Sequence, residues 1–161
     1  MMVSLMTSSM SRRSIAMLVM SVVGCLVVGA LSGLTSASSS LYQSLEMPPL
    51  SPPGYLFPIV WTVLYILMGI ALFLMIRLGD NRRYLWLFIV QLALNFVWTP
   101  LFFHYDMMLL AFADLVALWI CVMLLIVRSW NYDRRASYLM LPYIVWLSFA
   151  AYLNIGAYLL N

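Results

Sequence analysis

The stretch YLWLFIVQLALNFVWTPLFFH at residues 84–104 decides the fold of this chain. It contains no Asp, Glu, Lys or Arg, and a helix of about twenty residues spans the roughly 30 Å hydrocarbon core of a bilayer. Gln91, Asn95 and Trp98 recur in it at helical spacing, so one helix face carries polar and aromatic side chains. An amide without a partner in hydrocarbon costs roughly 2 to 7 kcal/mol, and we therefore expect Asn95 to face other helices or a bound molecule.

Four more apolar runs of similar length occur in the chain. Hydrophobic residues make up 66% and charged residues 8% of it, which excludes an ordinary soluble domain. Continuous runs, rather than short alternating segments, argue against a transmembrane barrel. We predict an all-α membrane protein, a five-transmembrane-helix bundle that forms one domain at residues 15–161 after a cytoplasmic segment at residues 1–14. The predicted spans are residues 15–34, 54–78, 84–104, 107–128 and 138–160.

The arginines predict the orientation of the bundle. The chain has no lysine, and five spans place its eight arginines on one side of the membrane, while residues 35–53 and 104–106 carry none. By the positive-inside rule the N-terminus is cytoplasmic and the C-terminus outside, and we expect an integral multi-pass protein of a bacterial cell membrane. The formal charge of +3 then reflects topology and contact with membrane lipid, and we predict no binding of nucleic acid.

The first span has two interpretations. Arg12 and Arg13 before an apolar run, with small residues at 35–40, resemble a cleaved signal, which would leave four helices. The run is longer than the about 7–15 residues of a signal, and this favours a retained helix. Gly29 and Gly33 form a GxxxG pair in it, which suits either a second subunit or ordinary packing within the chain.

Conventional catalytic and metal-binding motifs do not occur in the sequence. Cys25 and Cys121 lie in different spans, and we interpret both as small apolar side chains. His104 lies at a predicted turn beside Tyr105 and Asp106 without a second metal ligand nearby, so we predict no metal site and no cofactor. Hydrolase, ATPase and dehydrogenase fingerprints are missing too.

Three tryptophans are interpreted by their depth in the membrane. Trp86 and Trp130 fall near the cytoplasmic ends of spans, where aromatic side chains anchor helices at the interface. Trp119 is mid-span without a polar companion at helical spacing, and we interpret it as packing or facing lipid.

The acid of the fourth span, Asp114, lies about two turns inside it, where an ionised carboxylate costs at least about 2.5 kcal/mol. We predict that it joins a polar network that holds helices together, with Asn95 and Asn154 as candidate partners. Ligand contact and proton transfer are the alternatives.

Three motifs, which follow one another along the chain in the expected order, resemble the translocator protein family, also called tryptophan-rich sensory proteins. The first is PPLSPPG at residues 48–54, followed by FPIVWTVLY at residues 57–65. The second is QLALNFVWTPLFF at residues 91–103, and the third is PYIVW at residues 142–146 with Phe149, Ala150, Leu153 and Asn154. The resemblance covers residues 41–161.

The resemblance implies a five-helix bundle, usually a homodimer, with a pocket under its first external loop. Family members bind porphyrins such as protoporphyrin IX and haem, isoquinoline or benzodiazepine-type drugs, or sterols in that pocket. Flat aromatic rings suit a flat macrocycle, while amides and a phenol supply hydrogen bonds. The ligand-binding residues expected in this chain are Trp61, Tyr65, Gln91, Asn95, Trp98, Trp146 and Asn154.

Three functions fit this resemblance. We predict a binding or sensory protein for a tetrapyrrole or a related hydrophobic molecule. The alternatives are an enzyme that degrades protoporphyrin oxidatively with light and oxygen, with Trp61 and Trp146 as catalytic candidates, and a transporter of tetrapyrroles or sterols. No conventional acid, base and nucleophile supports catalysis, and no inverted repeat supports transport.

Some loop positions depart from the family pattern. The family often has tryptophan at the positions of Leu41 and Leu50 and a basic residue at that of Met47, so the contacts and charge of the loop differ here. Prolines between Pro48 and Pro53 form either a rigid lid or a simple boundary between helices. Nothing basic follows Arg135, so the cholesterol motif of animal members is not supported.

Overall fold

Five long helices account for most of the described chain. The computed structural model describes residues 11–36, 44–77 and 81–161. Its helices are α1 Arg12–Ser36, α2 Leu56–Ile76, α3 Asn81–Phe103, α4 Met108–Trp130 and α5 Arg134–Leu160. Each is long and apolar enough to cross a membrane, which confirms the predicted fold class. Residues 1–10 of the predicted N-terminal segment, most of the small residues at 35–40, and Leu41 lie outside the described residues.

The helices pack as an antiparallel bundle with α1 at its edge. The pairs in closest association are α4 with α5, α1 with α2, and α3 with α4, and α2 also packs on α5. The core between them is closed by large buried side chains such as Met68, Leu118 and Tyr143, none of which is exposed. In contrast, α1 packs mainly on α2 and α3, and many of its large apolar side chains are exposed, as a lipid-facing helix requires.

Glycines set the distance between α1 and α2. A Cβ atom at Gly69 would lie 2.5 Å from the Cα atom of Val22, so only glycine allows these two backbones to approach so closely. Of the predicted GxxxG pair, Gly29 receives the ring of Tyr65 from α2, whereas a Cβ at Gly33 would meet nothing within 4 Å. Gly29 therefore packs within the chain.

The start of α5 is fixed by a side-chain cap. Asp133 accepts hydrogen bonds from the backbone N–H of Arg135 at 3.0 Å and from its guanidinium at 3.0 and 2.9 Å. This cap starts α5 at Arg134, four residues before the span predicted from hydropathy. The hydrogen bond from the Arg135 side chain lowers the pKa of Asp133 below its usual value.

Replacing this cap, as in Asp133→Ala, is expected to lower the free energy of unfolding by about 1 kcal/mol at neutral pH. Because the folded-state pKa of Asp133 is lowered, its contribution is present above the unfolded-state pKa of about 4 and is lost as the pH falls through the folded-state value. Thermal unfolding of wild type and variant in detergent, at neutral pH and at about pH 2, measures the difference. The same difference at both pH values would contradict this account.

Candidate functional site

A cavity of about 610 Å³ lies between α1, α2 and α3. Its lining comes from the second half of α1, the first half of α2 and the second half of α3, so it lies at the end of the bundle where α1 ends, α2 begins and α3 ends. The described arginines belong to the other end. The lining residues are Leu26, Gly29, Ala30, Ser32, Gly33, Gly54, Phe57, Pro58, Trp61, Thr62, Tyr65, Asn95, Trp98, Thr99 and Phe103.

Small residues of α1 leave room for this cavity. Gly29, Ala30 and Gly33 line it with little more than backbone. Opposite them, Pro58 and Thr62 of α2 line the cavity and are themselves exposed, as are Ala30 and Gly33. The cavity is therefore partly open at the contact between α1 and α2 rather than sealed inside the core.

Trp61 is the centre of an aromatic cluster on the cavity wall. Its ring centroid lies 5.7 Å from that of Tyr65, 6.4 Å from Trp98, 6.2 Å from Tyr143 and 6.5 Å from Trp146. These distances are in the range of favourable aromatic pairs. The indole N–H of Trp61 donates no hydrogen bond to residues 11–36, 44–77 and 81–161. Trp61 therefore offers both a ring and a donor.

A buried chain of hydrogen bonds supports the wall behind Trp61. The Tyr65 hydroxyl donates to the Asn95 Oδ1, and the Asn95 Nδ2 donates to the Tyr143 hydroxyl at 2.9 Å. Tyr143 in turn donates to the Gln91 Oε1 at 3.1 Å, and the Gln91 Nε2 approaches the Met68 Sδ at 3.9 Å. The chain joins α2, α3 and α5, and each of its members is 5% exposed or less. Asn95 thus faces other helices, as expected from the cost of an unpaired amide.

A second buried link fixes Trp98. Its indole N–H donates to the Asn154 Oδ1 at 3.1 Å, and the Asn154 Nδ2 donates to the backbone carbonyl of Met108 at 2.8 Å. This connects α3, α5 and the first turn of α4. Trp98 is consequently held with its ring, but not its N–H, available to the cavity.

The seven residues predicted to bind ligand fall into two layers. Four of them line the cavity: Trp61, Tyr65, Asn95 and Trp98. Gln91, Trp146 and Asn154 lie behind that wall, where Gln91 and Asn154 are 0% and 1% exposed and use their amides in the two links above. Trp146 packs edge-on against Trp61, and its Nε1 is buried without a hydrogen-bond partner in the described part of the chain.

Several lining residues were not found from the sequence. Ser32 and Thr99 form a buried hydroxyl pair at 2.6 Å that joins α1 to α3 on the cavity wall. Phe57 and Phe103 add aromatic edges. Thr99 directly follows the Asn95–Trp98 stripe, and Ser32 is a polar residue inside an apolar span. Both could therefore have been predicted to face the protein interior, but the prediction followed the aromatic residues instead.

The predicted polar network around Asp114 is wrong. Asn95 and Asn154 bond to other partners, and the Asp114 Oδ2 is buried with no hydrogen-bond partner among the described residues. The reason is its place on α4, at the border of the buried stripe that runs through Ala111, Leu115 and Leu118.

The other tryptophans lie outside the cavity lining. Trp119, interpreted from sequence as packing or facing lipid, packs against the core and also donates to the Ser148 hydroxyl of α5 at 2.9 Å. Trp86 is 67% and Trp130 38% exposed, and both lie toward the opposite end of the bundle from the cavity. Their positions suit interfacial anchoring.

The connection before α2 is fastened to α5. The Asn161 side chain bonds to the backbone N–H and carbonyl of Glu46 at 3.1 and 3.0 Å, and the Tyr152 hydroxyl donates to the Pro49 carbonyl at 2.7 Å. A Cβ at Gly156 would lie 2.5 Å from the Pro48 ring, so the loop packs tightly there. Within residues 44–54, only Gly54 lines the cavity. The described loop is therefore held in place, but beside the cavity.

Comparison with known proteins agrees with the three motifs. The TspO/MBR family model matches residues 21–159. A Tryptophan-rich protein TspO of Archaeoglobus fulgidus is 39% identical over 152 residues, which cover 92% of this chain and 99% of that protein. The Protein CrtK of Rhodobacter capsulatus is 34% identical over 86% of this chain and 89% of its own, and the Translocator protein of Ovis aries is 36% identical over 70% of each. The chain therefore belongs to the TspO/MBR family of integral, multi-pass membrane proteins.

Proposed function

We propose that this protein binds flat hydrophobic ligands in the cavity between α1, α2 and α3, and acts as a binding or sensory protein. Porphyrins such as protoporphyrin IX and haem are the proposed ligands, together with isoquinoline or benzodiazepine-type molecules and sterols. The observation that carries the proposal is the aromatic wall: Trp61, Tyr65 and Trp98 face a cavity of about 610 Å³. That volume lies within the roughly 300–1,000 Å³ of small-molecule pockets.

The proposed roles follow the two layers of the site. Trp61 and Trp98 supply ring surface for the ligand, and Tyr65, held by Asn95, supplies a phenol oxygen. Gln91, Asn154 and Trp146 position those side chains from behind, through the hydrogen-bond chain, the Trp98 link and the packing on Trp61. A binding site that is fixed from behind loses little side-chain freedom when the ligand enters.

A second candidate function is light-dependent degradation of a bound porphyrin, with molecular oxygen as the oxidant. The observation in its favour is the edge-on contact of two oxidisable indoles, Trp61 and Trp146, at 6.5 Å next to the cavity. Retained binding with loss of porphyrin breakdown in Trp146→Phe would favour it over binding alone. Transport has no comparable observation.

The orientation and assembly are also proposals. The clustering of described arginines at one end supports a cytoplasmic location for that end. In this proposed orientation the cavity faces the other side of a bacterial cell membrane. The exposed apolar face of α1 is compatible with a homodimer as well as with lipid. Labelling of single cysteines placed at Arg128 and Tyr105 with a membrane-impermeant reagent tests the orientation.

Trp61→Leu is expected to raise the dissociation constant for protoporphyrin IX about tenfold or more, because each lost aromatic contact is worth about 0.5–1.5 kcal/mol and 1.4 kcal/mol is tenfold. The titration follows the porphyrin Soret band with protein in lipid nanodiscs. Trp86→Leu is the matched control, because Trp86 is 67% exposed and lies near the other end of the bundle. Equal affinity in wild type and both variants would mean that the porphyrin partitions into lipid and that the proposed site is wrong.

A further inference from the structure

A pair of buried hydroxyl groups on the cavity wall has no part in the roles proposed above. Ser32 of α1 and Thr99 of α3 both line the cavity, and the Ser32 Oγ lies 2.6 Å from the Thr99 Oγ1. We infer that this pair is a recognition site for the ligand, to which it donates one hydrogen bond at a carbonyl oxygen. The inference rests on the proposed function and names a chemical group that its ligands carry.

The number of protons in the pair supports this role. Two hydroxyl groups carry two protons, and the bond between them uses one, whichever oxygen donates. Other hydroxyls in these helices place their proton on the carbonyl four residues earlier, as Ser21 and Ser129 do at 2.9 and 2.7 Å. The Ser32 and Thr99 hydroxyls make no such bond within residues 11–36, 44–77 and 81–161. One proton of the pair is therefore left for an acceptor in the cavity.

Burial gives this second proton its weight. Ser32 is 4% and Thr99 8% exposed, so the pair is largely removed from the surroundings of the protein. A buried donor without an acceptor has lost the hydrogen bond that water would give it, and an acceptor oxygen on a ligand restores that bond. A ligand of the same shape without the oxygen leaves the donor unpaired, so the pair distinguishes the two.

The amide and phenol groups of the wall are less suited to bind a ligand oxygen. The Tyr65 hydroxyl donates to the Asn95 Oδ1, and the Asn95 Nδ2 donates to the Tyr143 hydroxyl at 2.9 Å. The Trp98 N–H donates to the Asn154 Oδ1 at 3.1 Å. These donors already have acceptors in the protein, whereas the hydroxyl pair carries a proton more than its own bond requires.

The pair lies next to the ring surface proposed to hold the ligand. Thr99 directly follows Trp98 on α3, and Ser32 is flanked on α1 by Gly29 and Gly33, which also line the cavity. Ring surface and donor are therefore adjacent on the wall, which suits a flat ring with a carbonyl group at its edge. Protoporphyrin IX carries such oxygens in its propionate groups.

Fluorenone and fluorene are matched probes for this inference. Both are flat, uncharged and of nearly the same outline, but only fluorenone has a carbonyl group. A hydrogen bond to that oxygen lowers its infrared stretching frequency, so fluorenone labelled with a heavy isotope at the carbonyl reports the bond directly. In nanodiscs of ether lipids, which have no ester carbonyl, wild type is expected to show a lowered carbonyl band that saturates with fluorenone. This measurement needs no variant.

Removal of both hydroxyls provides the second measurement. The double variant Ser32→Ala/Thr99→Val is expected to lose the lowered band and to raise the dissociation constant for fluorenone about threefold to tenfold, the range of one neutral hydrogen bond. Equilibrium dialysis against nanodiscs with and without protein measures both ligands. Fluorene should bind the double variant as it binds wild type, which shows that the cavity is intact.

Thr62→Val is the matched control for the lost hydroxyls. Thr62 also lines the cavity, but its hydroxyl already donates to the Pro58 carbonyl at 2.7 Å. We expect this variant to keep the lowered band and the affinity for fluorenone.

Three results overturn the inference and leave the proposed function intact. Wild type that binds fluorenone without a lowered band has no donor at the ligand oxygen. A lowered band that persists in the double variant assigns the bond to another donor, such as the Trp61 N–H. Equal losses of fluorenone and fluorene affinity in the double variant show that the pair only holds α1 against α3. Failure of both probes to bind wild type saturably would instead refute the proposed function, and this inference with it.

Discussion

Asn95→Leu is expected to lower the free energy of unfolding by about 2–4 kcal/mol, the range for buried polar groups left without partners. The change removes the acceptor of the Tyr65 hydroxyl and the donor to the Tyr143 hydroxyl at once. Leucine has the same branching of heavy atoms as asparagine but a larger volume, so the expected loss combines the two broken hydrogen bonds with overpacking of a buried site. Thermal unfolding of the detergent-solubilised protein measures it.

Ligand affinity should fall with stability in Asn95→Leu, because Tyr65 is no longer held against the wall. Tyr143→Phe provides the matched comparison: it breaks the same chain one step further from the cavity but leaves the Tyr65–Asn95 bond in place. We expect a comparable loss of stability with a smaller loss of porphyrin affinity in this variant. Affinities that fall equally in both variants would show that Tyr65 has no separate role at the site.

Gly69→Leu is expected to separate α1 from α2 and to destabilise the bundle by about 3 kcal/mol or more, at or beyond the upper end for overpacking. A Cβ at this position would lie 2.5 Å from the Cα and 2.9 Å from the backbone N of Val22, and backbone atoms cannot move aside as a side chain can. The cavity depends on the same contact, since α1 forms one of its walls. Porphyrin affinity should therefore fall together with the unfolding temperature.

Gly24→Leu is the control for this change. Gly24 lies on α1 as well, but a Cβ there would meet nothing within 4 Å. We expect unfolding temperature and affinity close to those of wild type. An unfolding temperature of Gly69→Leu that matches Gly24→Leu would show that the α1–α2 contact is softer than its geometry indicates.

The sequence predicted the fold because each span is apolar over its whole length, and long apolar helices have few alternatives in a bilayer. It also placed Asn95 correctly against other helices, because the cost of an unpaired amide in hydrocarbon depends little on the details of packing. The predicted start of α5 was four residues too late, because a hydropathy pattern does not detect the side-chain cap that Asp133 provides.

The layers of the site could not be predicted in the same way. Gln91 and Asn95 share one face of α3, but only Asn95 reaches the cavity, because the cavity ends at the level of Tyr65. Trp61 of α2 and Trp146 of α5 likewise look equivalent in sequence, but only Trp61 lines the cavity. The reason is that α1, which forms one wall of the cavity, packs on α2 and away from α5. How far the cavity extends along α3 depends on how three helices pack together. The spacing of residues within one helix carries no information about that packing.

The arrangement of the six tryptophans has a practical consequence for spectroscopy. Trp98 and Trp146 each contact Trp61, so the excited states of the three rings exchange energy and their emission does not report on individual positions. Trp86 is the most exposed tryptophan described and lies far along the bundle, so its emission follows the solvent or lipid around it. Intrinsic fluorescence of the wild type during a titration therefore mixes a signal from the cavity with signals from outside it, and replacing Trp86, Trp119 and Trp130 by phenylalanine isolates the first.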